Sequence, residues 1–407
     1  MQQSHPGANV PGTRVIVHGA RKCDVDGEAD GFWVAFDGDR IAAAGAGDGW
    51  EAYADAGADV VDADGAVLTP GFIDLHGHGG GGFSFDEAAG AGGAEAVGRA
   101  LAVHRAHGTT RSVLSLVANP VAALERSLAA IADIARRDPL VLGAHLEGPF
   151  LAPGRKGAHN PDFLIAPSPA VIERLMAAAP GAVRQVTIAP ELPGALAAIA
   201  ALAEAGVVVA VGHTEADEEQ ALAAFDRGAR LLTHAFNAMP EIGHRNPGPV
   251  VAAIRDERVT AELILDEVHV HPDVARLLLG AADGRVALIT DAMAAAGSAD
   301  GTYRLGSLDV TVTDGVARLS VPGGAAAGAL GAIAGSTLTQ DHALRVATAR
   351  CGLSLRAAVT ALTWVPARVL GLDHWLGRLA PGFAADAVLL DRAGAVRSVW
   401  GAGRRLA

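Results

Sequence analysis

The chain has 407 residues, of which half are hydrophobic and 19% are charged, and this suits one large barrel or two to three domains. Its formal net charge of −13 argues against general binding to nucleic acid or to anionic membranes. Cys23 and Cys351 are too few for a disulfide framework, and the polar start of the chain, without an apolar segment, predicts no secretory signal. We therefore expect a cytoplasmic protein with neither a nucleic-acid nor a membrane partner.

The N-terminal segment and the middle of the chain differ in their pattern. Short strands at 13–18, 33–37 and 59–68, punctuated by Gly and Asp, predict a small β-rich module. From Val67 onward, strand-like runs alternate with Ala-rich helical stretches, for example 88–106, 121–137, 194–205, 217–227 and 272–281. The eight strand-like runs are 67–75, 109–117, 141–146, 184–190, 206–211, 230–233, 260–266 and 286–290. Eight such units are typical of a TIM barrel, and a doubly wound sheet is the alternative.

The C-terminal part predicts a β-hairpin at 302–320, a Gly/Ala-rich loop from Gly323 to Gly335, and helices near 337–350 and 355–370. The last segment, 376–407, returns to strands and turns, and we expect it to complete the N-terminal module. The predicted fold is α/β: a (β/α)8 TIM-like barrel at 67–371 with a small β-sandwich domain built from 11–66 and 372–407.

Metal-capable side chains follow five of the eight predicted strands. The first run ends in His76-x-His78 and opens into four glycines, and residues two apart on a strand project to the same side. The positions just after the carboxyl ends of the strands are called exits here. Four further exits carry Glu147, His213, His234 and Asp291. Any one of these is more often an ordinary polar group, and Asp291 would also suit a helix N-cap. Because barrel active sites lie at the carboxyl ends of the strands, the set together predicts a metal site.

These exits lie in motifs that resemble a known family: PGFID-x-H-x-H, HLEGP, GHT, THAFNAMP and TDA. They resemble the amidohydrolase superfamily and, more narrowly, its N-acetylglucosamine-6-phosphate deacetylases. The resemblance implies an amide hydrolase that converts N-acetyl-D-glucosamine 6-phosphate to D-glucosamine 6-phosphate and acetate in amino-sugar catabolism. The only lysines, Lys22 and Lys156, end no barrel strand, which disfavours relatives that bridge two metals with a carboxylated lysine. Glu147 is then the expected bridging carboxylate.

The resemblance also implies roles for the exit residues. Glu147, His213 and His234 would hold one divalent ion, and His76 and His78 would allow a second, so we expect one or two ions per subunit. Zn²⁺ is the expected ion, and Fe²⁺ and Mn²⁺ are compatible with the ligand types. Asp291, at the metal, would act as general base and then general acid while a metal-bound hydroxide attacks the acetyl carbonyl.

Substrate contacts are likewise implied by the resemblance. They fall at Ala158, His159, Asn237, Ala238, Arg245, His269, Ile333, Ala334 and Gly335. His159 would polarise the acetyl carbonyl, as a catalytic residue, or touch the sugar. Arg245 would bind the phosphate of a neighbouring active site, which implies a homodimer. Glu267 stands where relatives usually have Gly, and its charge would weaken phosphate recognition if it pointed inward.

Two other functions remain open from the sequence. One is a related amidohydrolase acting on another N-acyl sugar or a cyclic amide. The other is a catalytically silent barrel used for assembly, which the intact ligand set disfavours. Five other histidines are predicted to be structural or surface residues: His104, His107, His145, His244 and His271.

Overall fold

The structure, a computed structural model, describes residues 14–320 and 331–407. The predicted boundary at residue 11 and most of the Gly/Ala-rich loop that begins at Gly323 lie outside the described residues. The chain divides into two compact units. One comprises the chain through Ile73, 105–111 and 353–407, and the other comprises 74–104 and 112–352. The predicted domain boundaries at 66/67 and 371/372 stay predictions.

Eight strands form one parallel sheet in chain order, which confirms the predicted TIM-like barrel. The barrel strands are Phe72–Gly77, Thr109–Val117, Val141–Glu147, Val183–Ile188, Val208–Val211, Leu231–Leu232, Thr260–Ile264 and Val286–Ile289. Gly77, the last residue of the first strand, pairs with Ala292 in a parallel bridge, and the amide of Asp291 donates to the carbonyl of His76 at 2.8 Å. The first strand is thereby joined to the segment after the eighth. The five strand exits that carry the predicted metal ligands lie on the same rim of the barrel, at the carboxyl ends of its strands.

The first predicted strand, 67–75, is two strands in the structure. Val67–Pro70 pairs antiparallel with Ala387–Leu390 in the sheet of the chain ends, whereas Phe72–Gly77 begins the barrel. Gly71 separates them, and a Cβ at this position would lie 2.1 Å from Thr110 Oγ1. The backbone therefore changes sheets at a residue that must lack a side chain.

Helices connect most barrel strands and bury one apolar face each. In Val121–Arg137, the residues Leu124, Leu128 and Ile131 are buried at spacings of four and three, as expected for an amphipathic helix. The other helices are Gly93–Ala106, Pro169–Ala178, Ala195–Glu204, Glu218–Asp226, Gly248–Arg255, Pro272–Ala281, Gln340–Ala349, Leu355–Leu362 and Trp364–Val369. The stretch predicted at 88–106 begins as a helix only at Gly93, and the stretch predicted at 355–370 is two helices. None of the helices among the described residues has the length and apolarity that a bilayer crossing requires.

The two chain ends form the second sheet, as predicted, and its strands are joined by hydrogen-bonded pairing. Its strands are Val15–Asp24, Gly27–Asp37, Arg40–Ala46, Asp59–Asp62, Val67–Pro70, Ala387–Leu390, Val396–Gly401 and Arg404–Arg405. Phe36 and Trp400 pack edge to face in its core, with their ring centroids 6.4 Å apart. Asp386 accepts two hydrogen bonds from the buried Arg111 guanidinium, at 2.6 and 3.1 Å.

The predicted hairpin at 302–320 is a three-stranded antiparallel sheet. Its strands are Gly301–Leu305, Leu308–Thr313 and Val316–Leu319. A shorter hairpin, Gly79–Gly80 with Phe83–Ser84, follows the first barrel strand.

Candidate metal centre and active site

Six side chains from five barrel strands meet at the rim. They are His76, His78, Glu147, His213, His234 and Asp291. Two overlapping triads, His76–His78–Glu147 and Glu147–His213–His234, each have all their ligand atoms within 4.8 Å of one another. Glu147 therefore lies between two candidate cation positions.

The two carboxylate oxygens of Glu147 face different rings. Oε1 lies 3.1 Å from His213 Nε2 and 3.0 Å from His234 Nε2, and Oε2 lies 3.1 Å from His78 Nε2. Asp291 Oδ1 is 3.2 Å from the same His78 nitrogen. All of these residues are buried, so each charge needs a partner inside the site.

The donor set fits a divalent cation, and His213 shows why. Its Nδ1 lies 2.9 Å from the carbonyl oxygen of Arg155, which can only accept, so Nδ1 carries the proton of the neutral ring. The Nε2 lone pair then faces the Glu147 carboxylate and, at 3.0 Å, His234 Nε2. A lone pair opposite a carboxylate is repulsive unless a cation lies between them.

The charges in the cluster support the same conclusion. Burial raises the pKa of Glu147, but the imidazoles of His76 and His213 outweigh burial and hold this pKa well below its usual value. The same balance of burial against His76 and His78 lowers the pKa of Asp291 to about 2. Burial disfavours the charged ring of His78, yet hydrogen bonds with Asp291 and Glu147 raise its pKa to about 9. Both carboxylates are thus ionised near neutral pH, and the centre attracts positive charge.

Three of the ligand residues have a left-handed backbone. The φ angles are +47° at His213, +25° at His234 and +48° at Asp291. Such angles are rare for residues with a side chain and concentrate at functional sites. They turn each side chain inward at the point where its strand ends, and no helix follows Asp291 directly, so a helix cap is not its role.

A cavity of about 350 Å³ opens onto this cluster. Its lining includes all of the cluster except His76, which has no exposed surface. The predicted substrate residues in the lining are Ala158, His159, Asn237, Ala238, His269, Ile333 and Gly335. The cavity can therefore hold a small polar molecule directly against the candidate cations.

His159 offers a fixed hydrogen-bond donor to the cavity. The amide of Ala118 donates to its Nδ1 at 3.1 Å, so the proton of the neutral ring lies on Nε2. That nitrogen is 3.3 Å from Glu147 Oε2. Burial lowers the pKa of His159 to about 4, so the ring is neutral in the physiological range.

Comparisons with known proteins agree with this geometry. The model of the amidohydrolase family matches residues 67–406. The chain belongs to the amidohydrolase family. An N-acetylgalactosamine-6-phosphate deacetylase from Escherichia coli O157:H7 is 39% identical over 345 residues, covering 84% of this amidohydrolase and 88% of the relative. An N-acetylglucosamine-6-phosphate deacetylase from Lysinibacillus sphaericus is 34% identical, covering 82% and 84%.

Solved structures of the family are also similar. The crystal structure of N-acetyl-D-glucosamine-6-phosphate deacetylase from Mycobacterium smegmatis matches with a TM-score of 0.87 and 43% identity, covering 97% of this amidohydrolase and 100% of that chain. The N-acetylglucosamine-6-phosphate deacetylase from Pasteurella multocida matches with a TM-score of 0.88 and 25% identity, covering 96% and 99%.

Two predicted substrate residues of this amidohydrolase lie away from the cavity. Ala334 has no exposed surface and packs in an apolar cluster with Met293 and Val310. Arg245 is exposed on the loop before Gly248–Arg255 and does not line the cavity within its own chain. Its predicted role depends on a second subunit and stays a prediction.

His269, which lines the cavity, is held by Asp266. The Asp266 carboxylate accepts from His269 Nδ1 at 2.7 Å. Burial disfavours charge on His269, but Asp266 outweighs it and raises the pKa of the ring. Glu267 adopts a φ of +66° and directs its carboxylate to Arg350, 2.6 Å from Nη1, rather than into the cavity lining. The side chain therefore takes the outward orientation, for which we expected no effect on phosphate recognition.

Glu262, which lies behind the ligands, escaped the sequence analysis. Glu262 is fully buried and lies 3.1 Å from His76 Nδ1. His145, predicted to be structural, lies between Ser115 Oγ at 2.9 Å and Thr187 Oγ1 at 2.8 Å. The available signal for Glu262 was a carboxylate inside an otherwise apolar strand, since buried charges are rare without a partner.

Proposed function

We propose that this amidohydrolase removes the acetyl group from N-acetyl-D-glucosamine 6-phosphate, giving D-glucosamine 6-phosphate and acetate in amino-sugar catabolism. The observation that carries the proposal is the Glu147-centred pair of triads lining a cavity that also contains Asp291 and His269. Relatives that match more than four fifths of the chain are named as deacetylases of phosphorylated N-acetyl sugars, and this supports the substrate class.

The residues divide the reaction between them. A divalent ion held by the triads would activate a water molecule as the nucleophile near neutral pH. Asp291, ionised and beside the triads, accepts a proton from that water and delivers it to the departing sugar nitrogen as the carbon–nitrogen bond breaks. The Nε2–H of His159 donates to the acetyl oxygen as negative charge develops on it. Protonated His269 pairs with the phosphate.

A second substrate is favoured by a specific observation. The relative from Escherichia coli O157:H7, at 39% identity, is an N-acetylgalactosamine-6-phosphate deacetylase. The decisive experiment measures acetate release by the purified enzyme from both phosphorylated sugars and from free N-acetylglucosamine. A higher kcat/KM for N-acetylgalactosamine 6-phosphate would show that this sugar is the preferred substrate instead. Equal kcat/KM values for free and phosphorylated N-acetylglucosamine would refute phosphate recognition.

We further propose that the resident ion is Zn²⁺, with Fe²⁺ and Mn²⁺ as compatible alternatives, and that each subunit holds one or two ions. Four imidazoles and two carboxylates suit zinc. Metal analysis of protein purified without added metal identifies the ion, and reconstitution of metal-free protein with each ion ranks them. A cytoplasmic location is part of the proposal.

The proposed homodimer, with Arg245 reaching the neighbouring site, has its own test. At substrate concentrations well below the wild-type KM, Asp291→Asn and Arg245→Ala subunits are each expected to be nearly inactive on the phosphorylated sugar. In a mixed dimer, the Arg245→Ala subunit retains Asp291 and would receive Arg245 from its partner, so activity should return on mixing. Failure of the mixture to recover activity, with subunit exchange verified by mass spectrometry, would refute the shared site.

A further inference from the structure

Glu262 is a buried carboxylate that belongs to neither ligand triad. It lies in the seventh barrel strand, Thr260–Ile264, and has no exposed surface. Its Oε2 is 3.1 Å from His76 Nδ1 and 3.3 Å from the amide of His234, and its Oε1 accepts from Gln185 Nε2 at 2.9 Å. A carboxylate this deep in a barrel is costly unless its hydrogen bonds are made, so these partners define its role.

The contact with His76 fixes which ring nitrogen can bind a cation. Glu262 Oε2 accepts from the amide of His234 and is the acceptor for His76 as well, so the proton of the neutral His76 ring lies on Nδ1. The lone pair of Nε2 then faces Glu147 Oε1 at 3.3 Å and His78 Nε2 at 3.2 Å. With the opposite tautomer, a proton would stand where the cation must bind.

The other rings do not depend on Glu262 in this way. His213 is held by the carbonyl of Arg155. His78 Nδ1, by contrast, has no hydrogen-bond partner among the described residues. His76 is thus the ring through which the His76–His78–Glu147 triad is oriented, and His234 meets Glu262 only through its backbone amide.

We infer that Glu262 is a positioning residue that holds His76 in its cation-binding tautomer and thereby makes the second cation position usable. The inference rests on the proposed function, since it assumes that the triads hold divalent ions. It adds that cation binding at His76–His78–Glu147 depends on Glu262 more than cation binding at Glu147–His213–His234 does.

The test compares Glu262→Ala, Glu262→Gln and the wild-type protein by Zn²⁺ stoichiometry and by competition with a chelator. Removing a partner of a ligating histidine typically weakens metal binding by about 10–100-fold. We expect that loss for one of two ions in Glu262→Ala, with the other changed much less. Glu262→Gln should fall between, because its amide oxygen can still accept the Nδ1 proton. Asp24→Asn is a matched control on a buried carboxylate in the sheet of the chain ends, where it pairs with Lys22 at 3.0 Å.

Two unchanged ions in Glu262→Ala, or a wild-type protein that binds only one ion, would overturn the inference and leave the proposed function standing. A wild-type protein that binds no divalent ion would instead overturn the proposed function. Should Glu262→Ala fail to fold, ¹⁵N-histidine NMR of zinc-loaded Glu262→Gln decides. The His76 Nδ1–H resonance must move when its charged acceptor becomes neutral, and an unmoved resonance contradicts the contact. A merely structural role for Glu262 would alter the melting temperature without this selective loss of one ion.

Discussion

Replacing Asp291 with asparagine tests the proton transfer directly. The carboxylate lies 3.2 Å from His78 Nε2 and lines the cavity, and its low pKa keeps it ionised and able to accept a proton. Asparagine keeps the size and one oxygen but cannot take up a proton. The five other ligand residues remain, so the metal content should stay near the wild-type value.

The expected loss of rate follows from the two transfers that Asp291 performs. A positioned acid or base contributes about 10²–10⁴ in rate, and one group that serves both steps belongs in the upper half of that range. We therefore expect kcat to fall by about 10³–10⁴, which corresponds to about 4–5.5 kcal/mol in the activation free energy.

The assay is initial-rate acetate release at saturating substrate, with metal analysis of the same samples. Asp24→Asn serves as the control, since Asp24 is a buried carboxylate that pairs with Lys22 in the sheet of the chain ends. A fully metallated Asp291→Asn enzyme that retains more than about a tenth of the wild-type kcat would refute the assignment, because a lost acid–base group costs at least about 10².

Three further substitutions test the proposed recognition of the phosphate. Arg245→Ala should raise KM for the phosphorylated sugar by about 10–100-fold, as expected for lost charge-assisted hydrogen bonds, with no comparable effect on the free sugar. Asp266→Asn should bring the pKa of His269 back toward its ordinary value, so that KM rises at a lower pH than in the wild type. The raised pKa of His269 stabilises the fold fully below about pH 6.5 and less as pH rises through its folded value, so urea unfolding should show the gap between variant and wild type shrinking there. Glu267→Gly should leave KM within about twofold, since the lost ion pair with Arg350 is a half-exposed one of small energy, and a tenfold fall in KM would show that Glu267 opposes the phosphate.

The strand exits were predictable because each has a local signal. An apolar run that stops at His213 or Asp291 identifies both the strand and the residue that turns inward. Where each exit lies in space then follows from the barrel, because all eight carboxyl ends share one rim. The number of units and the rim position of the site needed no information beyond the periodicity and the order of the motifs.

The features that escaped prediction depend on contacts distant in sequence. Val67 to Leu75 reads as one mostly apolar run, so nothing local shows that the chain changes sheets at Gly71, where Thr110 leaves no space for a Cβ. Glu262 lies within a strand rather than at its exit, and its meaning appears only when His76, nearly two hundred residues earlier, is placed beside it. The orientation of Glu267 was likewise open until Arg350 supplied its partner.

The backbone strain at the exits is balanced by hydrogen bonds from neighbouring segments. The carbonyl of His213 accepts from Ala152 at 2.9 Å, and the carbonyl of Asp291 accepts from Ser336 at 2.7 Å. Each left-handed residue costs about 1–3 kcal/mol, so the fold must hold these ligands in place before any cation binds. Cation binding then requires little ordering of the protein, and its free energy is available to stabilise the folded state.

Removing the metal should therefore lower the stability of the folded protein measurably. A ligand that binds only the folded state stabilises it by about 2.7 kcal/mol at a concentration one hundred times its dissociation constant. In a chelated sample this contribution disappears, and the ionised Glu147 and Asp291 must take up protons or remain as buried charges beside the imidazoles. We expect a lower unfolding midpoint in urea after chelation and its recovery when Zn²⁺ is restored, with Glu147→Gln protein showing a much smaller difference. Coincident curves for the chelated and zinc-loaded wild type would mean that the six side chains bind no cation of consequence, because a bound ion cannot fail to shift the equilibrium toward the state that binds it.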